Sequence, residues 1–256
     1  MNQSERRRFL IQALLNERGE GSFRIPDNSV EQKQLLRSLM NVRLPQAADA
    51  AFLRVQDEYL REEIAAKGIT DIRDLTPLED GIYLWQGDIT TLRCGAIVNA
   101  ANSGMTGCYV PCHRCIDNAI HTFAGVQLRH TCGRMMKEQG FDEPTGRAKI
   151  TPAYNLPCDY VIHTVGPIVG YRLTAEDEEL LRSCYRSCLE TAYENDVDSI
   201  AFCCISTGEF HFPNDRAAEI AVDVVREFRQ ESGGGIDVIF NVFKDLDYQL
   251  YRQLLG

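Results

Sequence analysis

From about residue 80 onward, short apolar runs rich in β-branched residues alternate with longer segments of helical pattern. The apolar runs span residues 82–85, 96–99, 160–165, 200–205 and 238–243. Uninterrupted apolar runs of this length are typical of strands buried on both faces, as in parallel or mixed sheets covered by helices. The pattern therefore predicts an α/β fold with a largely parallel or mixed sheet.

The segments between these runs predict helices at residues 115–139, 175–195, 215–230 and 246–255. In the 215–230 segment the apolar residues recur at spacings of three and four, which is the period of a helix with one buried face. Three glycines at 233–235 mark the turn that follows it. Helices therefore alternate with strands through the second part of the chain.

Residues 1–75 have a different texture, which is polar and helical and carries no recognisable chemical motif. Apolar residues repeat at helical spacing within 9–14 and again within 52–60, with glycines and prolines between them. The first residues lack the small-residue cleavage site of a signal peptide and favour an amphipathic helix. We predict a helical extension at 1–75 that docks on a domain formed by residues 76–256.

The charge balance narrows the range of partners. The formal net charge is −10, so the phosphate backbone of a nucleic-acid polymer would be repelled. A single nucleotide remains compatible, because backbone N–H groups can hold a small anion without side-chain cations. No apolar run is long enough to span a bilayer, and we expect neither a nucleic-acid nor a membrane partner.

The chain contains ten cysteines, which in a secreted protein would suggest disulfides. Here no secretion signal is evident, and several cysteines lie inside apolar or helical patterns. These are Cys184, Cys188, Cys203 and Cys204. Such cysteines are typical of small core residues in a reducing compartment, so we expect a cytoplasmic protein.

Ligands of open α/β sheets bind beyond the carboxyl ends of the strands, which directs attention to the loops at 87–90, 99–115 and 206–213. The loop at 206–213, STGEFHFP, could wrap phosphates with main-chain N–H groups, or could be an ordinary strand-to-helix loop. Asp88 could accept a hydrogen bond from a purine amine, or cap a turn. Asn99 and Asn102 could bind sugar hydroxyls, or cap the end of a strand.

A cluster of soft ligands follows the asparagine pair. Cys108, His113 and Cys115 have the spacing C-x4-H-x-C, from which three side chains can converge on one tetrahedral zinc ion. Three protein ligands leave one coordination position open, as in catalytic zinc sites. Cys112 is a possible fourth ligand or a bystander, and a group of free redox-active thiols is the alternative to a metal site.

Three further residues near this cluster have two interpretations each. Asp117 begins a predicted helix and could be a catalytic carboxylate, an N-cap or a support for the metal ligands. His121 lies four residues later and can face the same side of the helix, where packing is the favoured role. His163, on an apolar strand, is more typical of a hydrogen-bonded core residue than of a base.

Together these motifs resemble the macrodomain family. The matching segments are GDIT at 87–90, AIVNAAN at 96–102, CIDNAIH at 115–121, HTVGP at 163–167 and STG at 206–208. They occur in the family's order and spacing, and the resemblance covers residues 80–256. It implies a three-layer α/β/α domain with a central mixed sheet, which binds ADP-ribose and in some members hydrolyses it from proteins.

One departure from the family pattern points to a subgroup. Many hydrolytic macrodomains carry a run of glycines where this chain has GCYVPCHRC at 107–115. The segment is similar to that of the zinc-containing branch, which also has an N-terminal helical extension and includes protein mono-ADP-ribose hydrolases. A second departure is His211, which stands where many macrodomains have glycine.

The resemblance also implies roles for individual residues. Asp88 is expected to bind the adenine amine, with a backbone contact from Ile89. Asn102 and Asp117 are the expected catalytic residues at the distal ribose, with Ile116 beside them. The diphosphate is expected to lie against the main chain of Ser206, Thr207, Gly208, Glu209 and Phe210.

The implied reaction is hydrolysis of the bond between C1 of the distal ribose and a protein side chain, with an Asp or Glu linkage as our first choice. Zinc could lower the pKa of a water molecule or polarise the ribosyl and acyl oxygens. The expected partners are ADP-ribose and a mono-ADP-ribosylated protein, for which the branch suggests a lipoyl-carrier protein. The alternatives are a non-catalytic ADP-ribose reader, a deacetylase of O-acetyl-ADP-ribose and a purely structural zinc.

Overall fold

A computed structural model describes the whole chain, residues 1–256. A central sheet of six strands has the order β2-β8-β7-β4-β6-β5, and a separate two-stranded pair joins β1 to β3. The strands are β1 (Thr70–Asp71), β2 (Ile82–Gln86), β3 (Leu92–Arg93), β4 (Ala96–Ala101), β5 (Ala148–Pro152), β6 (Tyr160–Val165), β7 (Ser199–Phe202) and β8 (Asp237–Val242). All neighbours in the central sheet are parallel except β5 and β6, so the predicted mixed sheet is confirmed.

Two of the predicted strands are too long, and β5 was missed. The run at 200–205 forms a strand only to Phe202, and the run at 238–243 ends at Val242. The sequence of β5, AKITP, lacks the continuous apolar character of the other strands because it lies at the edge of the sheet. Pro152, which cannot donate a hydrogen bond, closes that edge strand.

The helices are α1 (Gln3–Glu17), α2 (Ser29–Val42), α3 (Ala50–Lys67), α4 (Ile116–Ala124), α5 (Val126–Gln139), α6 (Ala175–Glu194), α7 (Asn214–Ser232) and α8 (Asp245–Leu255). Short 3-10 helices occupy Ile72–Asp74 and Ile89–Thr91. Helices flank both faces of the sheet, with α6, α7 and α8 packed side by side and α4 next to α5. This is the predicted three-layer α/β/α arrangement.

The prediction of one continuous helix over 115–139 is wrong. The chain breaks at Gly125, which has φ 99° and separates α4 from α5. A Cβ at this position would lie 2.6 Å from the amide nitrogen of Gln56 in α3. Only glycine therefore allows both the positive φ and the close approach of α3.

The predicted N-terminal extension consists of α1, α2 and α3, which form a separate small hydrophobic core. The domain contributes Val126, at the start of α5, to this core. Asn2 and Asp49 cap α1 and α3 by accepting hydrogen bonds from backbone N–H groups in the first turn. None of the eight helices combines the length and the hydropathy that crossing a bilayer requires.

Candidate functional site

The loops singled out in the sequence lie at one edge of the central sheet. Because β2, β8, β7, β4 and β6 run parallel, their carboxyl ends share that edge. The strand order lines up Asp88 after β2, the 206–213 loop after β7 and Asn102 after β4. Three strand spacings, about 14 Å, separate the β2 end from the β4 end of this row. An elongated ligand that spans the row would cross the 206–213 loop.

At one end of the row, Asp88 is held by hydrogen bonds on both carboxylate oxygens. Oδ1 accepts from the backbone N–H and the hydroxyl of Thr90 at 3.0 and 2.6 Å. Oδ2 accepts from Lys67 Nζ of α3 at 2.8 Å. Burial raises the pKa of this carboxyl, but the hydrogen bonds from Lys67 and Thr90 outweigh it and lower the pKa below its usual value. Asp88 is therefore an ionised acceptor at neutral pH.

An aromatic residue from the predicted strand at 238–243 lies at the same end. Phe243 directly follows β8 and is 76% exposed. The backbone N–H of Gly87 donates to Val242 O at 3.0 Å, which brings the chain before Asp88 next to the chain before Phe243. The signal available in the sequence was an aromatic residue at the very end of the apolar run, directly before Lys244.

The 206–213 loop presents unpaired backbone donors. The N–H groups of Ser206, Gly208, Glu209 and Phe210 make no hydrogen bond within the protein. Ser206 and His211 have φ values of 64° and 58°, so His211 adopts the left-handed conformation in which glycine is the commoner residue. A row of unpaired N–H groups ahead of a helix is suited to bind an anion.

The segment that follows β6 packs closely against the 206–213 loop. A Cβ on Gly166 would lie 2.0 Å from Ser206 Oγ and 2.9 Å from Ile205 Cγ2, so a larger residue there would force these side chains to shift. The hydroxyl of Ser206 is buried and has no hydrogen-bond partner within the protein. The backbone N–H of Val169 donates to Phe210 O at 2.9 Å, which fastens the loop after β6 to the 206–213 loop.

At the other end of the row, Asp117 is buried and oriented by two asparagines. Its Oδ1 accepts from Asn99 Nδ2 at 2.9 Å, and its Oδ2 accepts from Asn102 Nδ2 at 3.3 Å. Burial raises the pKa of Asp117 to about 6, against the lowering effects of Asn99, Arg129 and Asn102. Cys115, and not Asp117, is the N-cap of α4, which excludes the capping role for Asp117.

Behind Asp117, a chain of buried hydrogen bonds reaches the edge of the sheet. Asn99 Nδ2 also contacts His163 Nδ1 at 3.1 Å, and His163 Nε2 contacts Thr151 Oγ1 of β5 at 2.9 Å. His163 is thus the hydrogen-bonded core residue that the sequence predicted, and burial lowers its pKa to about 3. His121 Nε2 lies 3.5 Å from Asp117 Oδ1, on the predicted side of α4.

The predicted metal ligands lie together in the 107–115 loop. The candidate ligand atoms of Cys108, His113 and Cys115 all lie within 4.8 Å of one another. His113 Nδ1 is buried without a hydrogen-bond partner, and burial raises the pKa of the Cys115 thiol. A buried imidazole nitrogen without a partner beside two thiols is the donor set that zinc prefers. The three side chains therefore fit the ion.

Cys112 lies outside this group of three. Its Sγ is 3.2 Å from Ser38 Oγ and 3.4 Å from Gln34 O, both in α2. Three candidate ligands therefore remain. A second cluster, of His121, Cys132 and His163, is fully buried, and His163 already uses both ring nitrogens in hydrogen bonds.

The 107–115 loop and the 206–213 loop meet across the site. His113 Nε2 lies 3.7 Å from a carboxylate oxygen of Glu209. The predicted binding residues after β4 and β7 are therefore brought together, while Asp88 lies at the far end of the row. A three-layer α/β/α domain with such a row of polar groups at its carboxyl edge belongs to the class of nucleotide-binding α/β domains.

Comparisons with known proteins narrow this class. A family model for the Macro domain matches residues 98–221. The chain is 57% identical over 261 residues to a protein-ADP-ribose hydrolase of Treponema medium, with 100% of both chains covered. It is 46% identical over 248 residues to a protein-ADP-ribose hydrolase of Staphylococcus aureus, covering 96% of this chain and 93% of that one.

A solved structure shares the fold. The Trypanosoma brucei macrodomain in complex with ADP-ribose superposes with a TM-score of 0.67 at 32% identity, covering 86% of this chain and 95% of that one. The present chain belongs to the macrodomain family, as its motifs indicated.

Proposed function

We propose that this protein is a zinc-dependent hydrolase that removes mono-ADP-ribose from modified protein side chains. The observation that carries the proposal is the placement of Cys108, His113 and Cys115, whose ligand atoms lie within 4.8 Å of one another directly ahead of Asp117. Full-length relatives are named protein-ADP-ribose hydrolases, which supports hydrolysis over binding alone.

In this proposal, ADP-ribose lies along the row of groups at the sheet edge, with its adenine at the Asp88 end. Asp88, an ionised acceptor, takes the adenine amine, with the backbone of Ile89 beside it and the exposed ring of Phe243 available for stacking. The unpaired N–H groups of the 206–213 loop take the diphosphate. We call these two portions the adenine end and the diphosphate loop, and the region of Asp117 the metal end.

The distal ribose then lies at the metal end. Asp117, held on both oxygens by Asn99 and Asn102, accepts a hydrogen bond from a ribose hydroxyl and fixes the sugar. Asn102 and the backbone at Ile116 complete the contacts to this ribose. Asn99, which is fully buried, holds this carboxylate from inside the domain.

Zinc would be held by the thiolates of Cys108 and Cys115 and by the imidazole of His113. When bound it would supply a Lewis acid, able to activate water or polarise an oxygen. Hydrolysis adds water across the bond between ribose C1 and the acceptor oxygen. It releases ADP-ribose and the unmodified side chain.

Our first choice of linkage is the ester to Asp or Glu, and our first candidate acceptor is a lipoyl-carrier protein, as the resemblance to the zinc-containing branch implies. All ten cysteines are free, which suits a reducing compartment, and we propose the cytoplasm.

The test combines metal analysis with turnover. Purified protein is assayed for bound zinc and for release of ADP-ribose from proteins modified on Glu or, separately, on Ser, with and without a chelator. We expect about one zinc per chain, release from the Glu-linked substrate, and loss of release on chelation that added zinc restores.

Each alternative gives a different result. A reader binds the modified protein and releases nothing, while full turnover without metal contradicts the zinc mechanism. Exclusive cleavage of O-acetyl-ADP-ribose would mean that the acceptor is a small ester and not a protein.

A further inference from the structure

We infer that helix α2 of the N-terminal extension positions the metal ligands. It does so by holding the 107–115 loop in the conformation that brings Cys108, His113 and Cys115 together. This inference rests on the proposed zinc function and adds to it a positioning residue, Arg37, that touches neither metal nor substrate. The extension would then be required for zinc binding, besides covering part of the domain.

Arg37 reaches from α2 to the 107–115 loop and contacts it at His113. Its Nη2 donates to the backbone carbonyl of His113 at 2.8 Å. The same guanidinium donates to Asn118 Oδ1, from Nη2 at 2.8 Å and from Nε at 3.2 Å. A planar guanidinium suits two acceptors at fixed angles, so it fixes the carbonyl of a ligand residue relative to α4.

Asn118 carries the same restraint to the other side of the loop. Its side-chain Nδ2 donates to Val110 O at 3.1 Å and lies 3.5 Å from Cys108 O. Its backbone N–H points to Cys115 Sγ at 3.4 Å. Asn118 is fully buried, and its Oδ1 is directed to Arg37. Arg37 and Asn118 together therefore contact all three ligand residues.

A second contact from α2 holds the tip of the loop. Asn41 Oδ1 accepts from the backbone N–H of Cys112 at 2.9 Å, and Asn41 Nδ2 donates to Thr122 of α4 at 3.0 Å. Cys112 has φ 54°, in the left-handed region that a cysteine rarely adopts. A conformation of this kind persists only when its surroundings hold it, and α2 supplies the hydrogen bond that does so.

The far end of α2 is anchored to the start of the same loop. Arg129 of α5 donates through Nη1 to the carbonyls of Met40, Asn41 and Arg43 at the end of α2. Its Nη2 donates to Cys108 O at 3.3 Å. The end of the helix and the first ligand residue thus share one buried cation.

The experiment measures zinc affinity directly on the full chain. Metal-free protein competes with a chromogenic chelator for zinc, for wild type, Arg37→Ala, Arg37→Lys and Lys33→Ala. Lys33 is the matched control, because it lies one turn earlier on α2 and pairs only with Glu63 of α3. Groups that orient metal ligands typically change metal affinity by about 10- to 100-fold when removed. We expect about a tenfold weaker zinc complex for Arg37→Ala, a smaller loss for Arg37→Lys and no change for Lys33→Ala.

Two further measurements separate positioning from general destabilisation. The absorption spectrum of the Co²⁺-substituted variant reports ligand geometry, and we expect Arg37→Ala to broaden or shift its ligand-field bands. ADP-ribose affinity should stay within about twofold of wild type, since the diphosphate loop is separate from α2. If Arg37→Ala lowers only the Tm of the metal-free protein, and zinc affinity and the cobalt spectrum are unchanged, the inference is wrong.

Failure of the proposed function looks different. A wild-type protein that binds no zinc overturns the zinc mechanism, and this inference with it. A wild type that binds zinc, together with an Arg37→Ala variant that binds it equally well, overturns this inference alone. Should Arg37→Ala not fold, the comparison of Arg37→Lys with Lys33→Ala gives the same decision.

Discussion

The two ends of the row at the sheet edge differ in how their carboxylates, Asp88 and Asp117, are held. The Asp88 side chain at the adenine end is 39% exposed, and its partners are Thr90, two residues along the chain, and Lys67 at the end of α3. The Asp117 side chain at the metal end is 6% exposed and is oriented by a chain of buried groups that extends to β5. The proposed function accounts for this difference in burial, because a binding contact can tolerate solvent, whereas a group that holds a sugar against a reacting bond needs a buried, fixed position.

The extension contributes one cation to each end, and the two act differently. Lys67 contacts the carboxylate of Asp88 itself, while Arg37 contacts the backbone that carries the metal ligands. Removing Lys67 should therefore weaken substrate binding slightly, and removing Arg37 should weaken zinc binding. Variants at the two ends should therefore separate binding from turnover.

The largest effect is expected from removing a metal ligand. On the proposed function, Cys108→Ala should lower turnover by more than about 100-fold, because a bound zinc ion would supply several kcal/mol of transition-state stabilisation. The dissociation constant for ADP-ribose should change less than about threefold, since the diphosphate loop and Asp88 are intact. Turnover assays and calorimetric titration with ADP-ribose measure the two quantities.

The control for this variant is a thiol from the same loop. Cys112→Ser, at a side chain that contacts α2 instead of the ligand group, should keep its zinc. Equal loss of ADP-ribose affinity and of turnover in Cys108→Ala would mean that the two ends are not separable.

The buried support of Asp117 should also make the stability of the protein depend on pH, through His163, which binds Asn99. Burial lowers the pKa of His163 to about 3 in the folded protein, against about 6.5 in the unfolded chain. Between these values the unfolded state binds the additional proton, so stability falls as the pH falls below 6.5. Lowering the pH from 7 to 5 should cost about 2 kcal/mol of unfolding free energy from this residue. His163 is surrounded by Asn99, Thr151, Cys132 and His121, none of them acidic.

Urea unfolding at pH 7 and pH 5 measures this effect. His163→Gln should lose about 2 kcal/mol of the pH dependence, whatever its stability at pH 7. Asp88→Asn is the matched control from the adenine end. The pKa of Asp88 is lowered in the folded protein, so its contribution is lost only below about pH 4 and the change from pH 7 to 5 should match wild type. Identical pH dependence in wild type and His163→Gln would contradict the prediction.

The smallest effect is expected at Lys67. A partly exposed ion pair contributes about 0.2 to 1 kcal/mol, so Lys67→Ala should raise the dissociation constant for ADP-ribose by about threefold. The physical reason is a less well fixed Asp88 carboxylate, and fluorescence or calorimetric titration measures it. Lys33→Ala, which removes an ion pair confined to the extension, should leave this constant unchanged. A change in zinc affinity for Lys67→Ala would contradict the prediction that Lys67 acts only at the adenine end.

Much of the domain could be predicted from local sequence. The buried strands have continuous apolar runs, and the C-x4-H-x-C spacing pointed to three side chains whose candidate ligand atoms lie within 4.8 Å of one another. The edge strand β5 and the break at Gly125 were missed because both depend on neighbours: β5 on its place at the sheet edge, and Gly125 on the approach of Gln56.

The supports of the site were harder to predict for the same reason. Arg37 and Lys67 lie in the extension, where the helical period of the apolar residues carries no information about contacts with the domain. Asn99 was identified as one of a pair, but its link to His163 follows from the pairing of β4 with β6. Long-range pairings of this kind leave no trace in local spacing.

The hydrogen bonds from α2 to the 107–115 loop have an evolutionary consequence. Without α2, the loop would lose the bonds that hold Cys112 and the His113 carbonyl. Without the loop, Arg37 and Asn41 would keep only their partners in α4, Asn118 and Thr122. The two segments, far apart along the chain, should therefore be gained and lost together. Homologues whose 107–115 loop is replaced by a glycine-rich segment should also have lost the arginine and the asparagine, even where three helices still precede the domain.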